Sequence, residues 1–246
     1  MHKIIIANWK EHPATLAEAS ELFKAEIESA QKYPAVKTVI CPPFIFIKEL
    51  SKLLRPITYH PSPITYHPSP TLGAQDISED VLGLCVSHVL VGHSDRRYGA
   101  GETDEIVNQK LKSALTQNIT PILLVGEKEK TDSRENTLEK QLTRGLEGLA
   151  LEQINRILIA YEPVWAISTS ADATACSPEH AVSAIQFIQR FITHTYNSPS
   201  ITCLYGGSVN SENIKSFLEH PEISGAVLGA ASLKSDEFEE ILRVAA

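Results

Sequence analysis

An α/β fold closed into a single (β/α)8 barrel is predicted for this chain by three observations. Eight short apolar runs recur along its 246 residues. The runs are continuous rather than alternating, as strands covered on both faces should be. Amphipathic helical patterns separate most of them, and eight such units at this length suit one barrel domain spanning residues 1–246. A doubly wound open sheet is the alternative. It would advertise a G-x-G-x-x-G turn after the first strand, where this sequence has Asn8-Trp9-Lys10.

Taken in order, KIIIA (3–7) is the first predicted strand, followed by the helical pattern TLAEASELFKAEIESAQK (15–32) and the second strand KTVIC (37–41). The next region breaks the rhythm. ITYHPSPITYHPSP (57–70) is a perfect tandem duplication of seven residues, too short and proline-rich for a solenoid, and it reads as a surface excursion. No acid or cysteine is interleaved with His60 and His67 to complete a metal site. The weak run TLGAQ (71–75) then reaches VSHVLV (86–91) with little room for a helix, so the third βα unit is expected to be rearranged, with a long entry and a stunted helix.

The helix TDEIVNQKLKSALTQ (103–117) opens with Thr103 as a cap and places Asp104 and Glu105 at the positive end of the helix dipole. Strands TPILLV (120–125) and RILIAY (156–161) follow. The long helix SPEHAVSAIQFIQRFITHTY (177–196) starts on Ser177, Pro178 and Glu179, a cap followed by a preset first turn. ITCLY (201–205) and GAVLG (225–229) complete the set.

Composition narrows the function. A net charge of −8 provides no basic face for duplex nucleic acid, although one local site can still attract a small anion. No stretch has the length needed to cross a bilayer, and the apolar run in MHKIIIANWK is too short for a secretory leader. Cys41, Cys85, Cys176 and Cys203 form no C-x-x-C pair and read as small hydrophobes in a reducing cytosol. No metal or cofactor is expected.

Chemistry on a parallel barrel gathers at the carboxyl ends of the strands. Strand one delivers Asn8 and Lys10 there, strand four His93, Ser94 and Asp95, and strand six Glu162. Strand seven delivers Gly206-Gly207-Ser208, and strand eight Gly229 and Ala230. Glu162, flanked by apolar Val164 and Trp165, is a candidate base whose pKa those neighbours should raise. His93 can polarise a carbonyl or pass protons between adjacent oxygens, and Lys10 brings positive charge to a developing enolate oxygen. The turns at Gly206-Gly207-Ser208 and Gly229 bring backbone N–H groups to an anion. These types together point to proton abstraction beside a carbonyl in a small phosphorylated sugar.

The motifs ANWK, GAQ, GHSDRR, GETDE, VGE, YEPVWAI, YGGSVN and GAASL, in this order from end to end, resemble the triosephosphate isomerase family. The resemblance implies a TIM barrel that interconverts dihydroxyacetone phosphate and glyceraldehyde 3-phosphate without a cofactor, in the cytoplasm, in glycolysis and gluconeogenesis. The family is itself a standing example of acid–base groups tuned by their surroundings, with a Glu base, a neutral His electrophile and a loop that closes to exclude water. By the resemblance Glu162 is the base, His93 the electrophile, and Asn8 and Lys10 bind substrate. Ser168, Ser208, Gly229 and Ala230 fall at the phosphate-binding backbone positions. Arg96 and Arg97 are expected to pair with nearby acids.

Departures from the family pattern carry their own expectations. Asp95 stands for a Glu, Glu11 and His12 for Met-Asn, and Ala230 for a glycine. The lid STSADATACS (168–177) is longer than the family's and has no glycine, which implies poorer closure and slower turnover. The segment after GAQ lacks the family's G-A-F-T-G-E loop, which interlocks two subunits, so a monomer or weak homodimer is expected. Two other readings stand beside the isomerase: a catalytically weakened phosphosugar-binding barrel, and a barrel isomerase for another phosphorylated substrate.

Overall fold

The computed structural model describes residues 2–54, 70–77, 84, 86–130, 133–167, 175–198 and 201–246. The duplication up to residue 69, Cys85, Ser168 and the rest of the lid as far as residue 174 lie outside the described residues.

Eight parallel strands close into a barrel in chain order: β1 (Ile4–Asn8), β2 (Lys37–Cys41), β3 (Thr71–Ala74), β4 (His88–Val91), β5 (Thr120–Val125), β6 (Leu158–Tyr161), β7 (Cys203–Tyr205) and β8 (Gly225–Leu228). The circle closes where Ile4 pairs with Gly225 and Ala7 with Leu228. Around it run α1 (Leu16–Lys32), α2 (Phe44–Leu54), α3 (Asp104–Thr116), α4 (Arg134–Gly145), α5 (Leu151–Ile154), α6 (Pro178–Tyr196), α7 (Ile214–Leu218) and α8 (Ser235–Ala245). Residues 78–83 and 85, between β3 and β4, lie outside the described residues, and with them the stunted helix expected of the third unit.

The expected helix starts are present. Thr15 and Glu18 form a reciprocal capping box at α1, Thr103 accepts from the Ile106 N–H at α3, and Ser177 accepts from the His180 N–H at α6. On α1 the buried Ala19, Phe23, Ile27 and Ala30 recur at helical spacing and form the stripe that faces the sheet.

The strands separate two apolar layers. Ile6, Val39, Leu90, Ile122, Ala160, Leu204 and Val227 fill the barrel interior. Their chain neighbours, such as Ile5, Ala7, Ile40, Val89, Leu123 and Ile159, pack outward under the helices. Burial on both faces explains the continuous apolar runs. Cys41 and Cys203 are buried in these layers as free thiols, and Cys176 is buried beside β7.

Candidate active site

Side-chain alternation decides what the carboxyl ends present. Asn8 lies two residues beyond the interior Ile6, and Glu162 two beyond the interior Ala160. The period of two therefore carries both to the inner face at the barrel mouth. There a cavity of about 900 Å3 opens, lined by Asn8, Lys10, His93, Glu162, Ser208 and Gly229 among others, with Ala230 at its edge.

Glu162 is almost fully buried. One carboxylate oxygen, Oε2, accepts the Ser94 backbone N–H at 2.9 Å. The other, Oε1, is 3.1 Å from His93 Nε2. On the far side of the imidazole, Nδ1 accepts the Asp95 backbone N–H at 3.1 Å. A nitrogen that accepts an N–H carries no proton of its own, so the ring proton sits on Nε2 and points at Glu162. Burial raises the Glu162 pKa, and His93, the Ser94 N–H and Lys10 pull it back. Sequence adjacency assigns Trp165 the task of raising it. Instead the Trp165 indole N–H turns to Glu127, at 2.7 Å, and the desolvation comes from burial at the barrel mouth. A Cβ at Gly126 would collide with the Glu162 carbonyl oxygen, so glycine at the end of β5 allows Glu162 to sit where it does.

Lys10 adopts φ 52°, a left-handed conformation rare for a side chain of its size. Gln75, at the end of β3, donates to the Lys10 carbonyl at 2.6 Å and to the Cys41 carbonyl at 3.0 Å, tying the strained residue to its neighbouring strands. The Lys10 ammonium reaches Asp95 at 3.1 Å. Sequence reasoning assigns Gln75 no role, although it stands in the GAQ motif at a strand end.

The charged stretch after β4 is organised as expected of Arg96 and Arg97. Arg96 Nε bonds Glu102 at 2.7 Å and lies 3.2 Å from Asp76, and Lys110 bridges the same two acids at 2.5 Å each. Arg97 donates to the Gly92 carbonyl at 2.7 Å and to Asp104 at 2.5 Å. Buried pairs with additional hydrogen bonds of this kind fix a loop's shape.

The far end of the cavity is built from turns. Gly229 precedes one turn of 3-10 helix, Ala230–Leu233, whose leading N–H groups have no acceptor within the turn. Ala230 takes the family's glycine position inside this turn without a left-handed dihedral. Ser208 differs in detail from its predicted backbone role: its N–H donates to the Ala166 carbonyl at 3.2 Å, and its buried hydroxyl has no partner among the described residues. A second group missed in the sequence is Glu127, in the VGE motif. It is buried, and its Oε1 accepts both the Tyr161 hydroxyl at 2.8 Å and the Trp165 indole.

The structure thus brings together Asn8, Lys10, His93, Glu162, Ser208, Gly229 and Ala230, while Ser168 falls outside the described residues. The family model for triosephosphate isomerase matches residues 3–245. The chain belongs to the triosephosphate isomerase family. It is 38% identical over 249 residues to the triosephosphate isomerase of Dictyoglomus turgidum, covering 98% of both chains. It is also 38% identical to that of Dehalococcoides mccartyi, covering 100% of this chain and 98% of the other. The crystal structure of triosephosphate isomerase from Bartonella henselae superposes with a TM-score of 0.80 at 26% identity, over 99% of each chain.

Proposed function

We propose that this chain performs its family's reaction, the interconversion of dihydroxyacetone phosphate and glyceraldehyde 3-phosphate, with Glu162 as the base and His93 as the electrophile. The observation that carries the reading is the 3.1 Å approach of His93 Nε2 to Glu162 Oε1 inside a cavity that also holds Lys10. Glu162 removes a proton from the carbon next to the carbonyl. The electron pair moves onto the carbonyl oxygen, where the His93 Nε2–H and the Lys10 ammonium stabilise the enediolate. His93 passes the proton of the neighbouring hydroxyl to the former carbonyl oxygen, and return of the abstracted proton to the former carbonyl carbon completes the isomerisation, with atoms conserved and no redox partner. Gly229 and Ala230 receive the phosphate on backbone N–H groups, together with Ser168, Ser208 contributes its hydroxyl, and Asn8 holds Lys10 by accepting its backbone N–H at 3.1 Å.

A coupled assay starting from dihydroxyacetone phosphate tests this directly. Turnover with exchange of the abstracted proton for solvent deuterium is expected. Binding of the substrate without turnover would instead favour a phosphosugar-binding barrel.

Among the described residues no helix is long and apolar enough to cross a membrane. With its reduced-cysteine composition the chain fits a cytoplasmic place in glycolysis and gluconeogenesis. The missing cross-subunit loop supports a monomer or weak homodimer.

A further inference from the structure

We infer that His180, on α6 and outside the reaction cavity, is a positioning residue for the end of β6 that carries Glu162, and that protonation exchanges its partner from α4 to β6. The inference rests on the reading of Glu162 as the base. His180 Nε2 lies 3.2 Å from the Tyr161 hydroxyl and 3.3 Å from Arg134 Nη1. Its ring packs edge-on against Trp165 at 5.3 Å and stacks on Tyr161 at 6.4 Å. Tyr161 directly precedes Glu162 in the chain, and Trp165 follows it by three residues.

One nitrogen cannot serve both neighbours. The Tyr161 hydroxyl gives its hydrogen to Glu127, so it can only accept from His180. Arg134 can only donate. An N–H on Nε2 would meet the Arg134 N–H head-on at 3.3 Å, so the neutral ring keeps its lone pair on Nε2, takes the Arg134 bond and leaves the Tyr161 oxygen unserved. A protonated ring donates to Tyr161, faces Glu127 Oε1 at 3.8 Å, and sets a cation against Arg134. Glu127 has the means to respond, because its Oε2 is buried and has no partner among the described residues.

The charged and titratable groups facing His180 are Glu127 at the end of β5, Lys130 beyond it, Arg134 on α4 and Tyr161 on β6. Burial first, then Arg134 and Lys130, hold its pKa below the ordinary imidazole value, while Glu127 opposes them. The ring is thus held neutral to lower pH than a free imidazole would be.

The test compares the pH dependence of kcat in wild type and His180→Gln, whose amide keeps the hydrogen-bonding but cannot titrate. Expected is an acid limb of log kcat with slope about 2 in wild type, for protons on Glu162 and His180, and about 1 in the variant. One pH unit below the His180 pKa the wild type should lose about tenfold more of its rate than the variant. The Trp165 emission, taken as the difference from Trp165→Phe, should show a step in the same range that His180→Gln abolishes and Glu162→Gln retains. Parallel acid limbs, or a Trp165 emission flat across the range, would overturn the inference. Activity retained by Glu162→Gln would instead remove the base reading, and the emission step would still report on His180. If His180→Gln loses its native far-UV signal, the His180 ring resonance of the wild type is followed, and its titration without movement of the Tyr161 resonance overturns the inference.

Discussion

His93 Nε2 stands 3.1 Å from Glu162 Oε1, and the ring's other nitrogen is occupied by the Asp95 backbone N–H. The imidazole is thereby fixed in one tautomer, with its proton directed at the base. The same N–H can turn to a substrate carbonyl once that oxygen enters between the two residues, so one hydrogen bond serves the resting site and the reaction in succession.

Glu162→Gln is expected to lower kcat by about two to four orders of magnitude, because an amide cannot take up the substrate proton. The amide oxygen can still accept the Ser94 N–H, so the fold should be retained. Steady-state rates alongside far-UV circular dichroism check both halves, and near-wild-type turnover would remove Glu162 from its role.

Lys10→Ala should weaken binding of a phosphoglycolate-like inhibitor as well as slow turnover. The ammonium lines the cavity and is half shielded, so its charge acts on a bound dianion through less solvent than at an open surface. Alanine keeps the same Cβ and the same cost at φ 52°, so the backbone strain is unchanged and affinity is the useful readout. Titration calorimetry giving equal affinity for both proteins would refute the binding role.

How far the sequence could be read follows from what each feature depends on. The strands were legible because burial on both faces writes an unbroken apolar run, as in TPILLV, which matches β5 in full. Caps at Thr103 and Ser177 were legible because a cap is a local hydrogen bond. The meeting of Glu162, His93 and Lys10 in one cavity was legible because each closely follows a strand at the same end of the barrel. Gln75 and Glu127 were not, since their work consists of bonds to residues 34 to 65 positions away, Lys10, Cys41, Tyr161 and Trp165. The source of the Glu162 shift was hidden for a similar reason: adjacency in sequence places Trp165 beside it, while the strand's pleat and the following turn aim the indole elsewhere.

Glu26 offers a test of buried charge with a definite sign. Its Oε1 accepts the Trp9 indole N–H at 3.0 Å, its Oε2 has no partner among the described residues, and burial raises its pKa well above the usual carboxylate range. Below the ordinary carboxylate pKa both folded and unfolded chains are protonated, and the group costs nothing. As pH rises from there, the unfolded chain ionises first, and stability falls until the folded pKa is reached. Glu26→Gln keeps an acceptor for Trp9 and has no proton to lose. Its melting temperature should match wild type near pH 4 and exceed it by pH 7, with each kcal/mol worth about 2–4 °C at this chain length. Thermal melts across that range check the sign, and a difference independent of pH would contradict it.

Assembly provides the last prediction. An isologous two-fold contact counts every loop twice, so a chain without the family's cross-subunit loop loses that contact from both sides of the interface. What the described surface offers in its place is small. At the start of α2, Phe44 is 46% and Ile45 71% exposed, and two side chains fall well short of the about 800 Å2 per partner of a stable interface. Lys10 already has an internal anchor in Gln75 and a counter-charge in Asp95, so its placement does not call for a neighbour. Light scattering across a dilution series should therefore give the mass of one 27.0 kDa chain at low micromolar concentration, with a dimer at most emerging as concentration rises. Ile45→Glu should leave that mass and the turnover unchanged, since a monomer covers the residue with nothing. A dimer mass that persists through dilution and is lost in Ile45→Glu would show that α2 and its surroundings had rebuilt the two-fold contact without the missing loop.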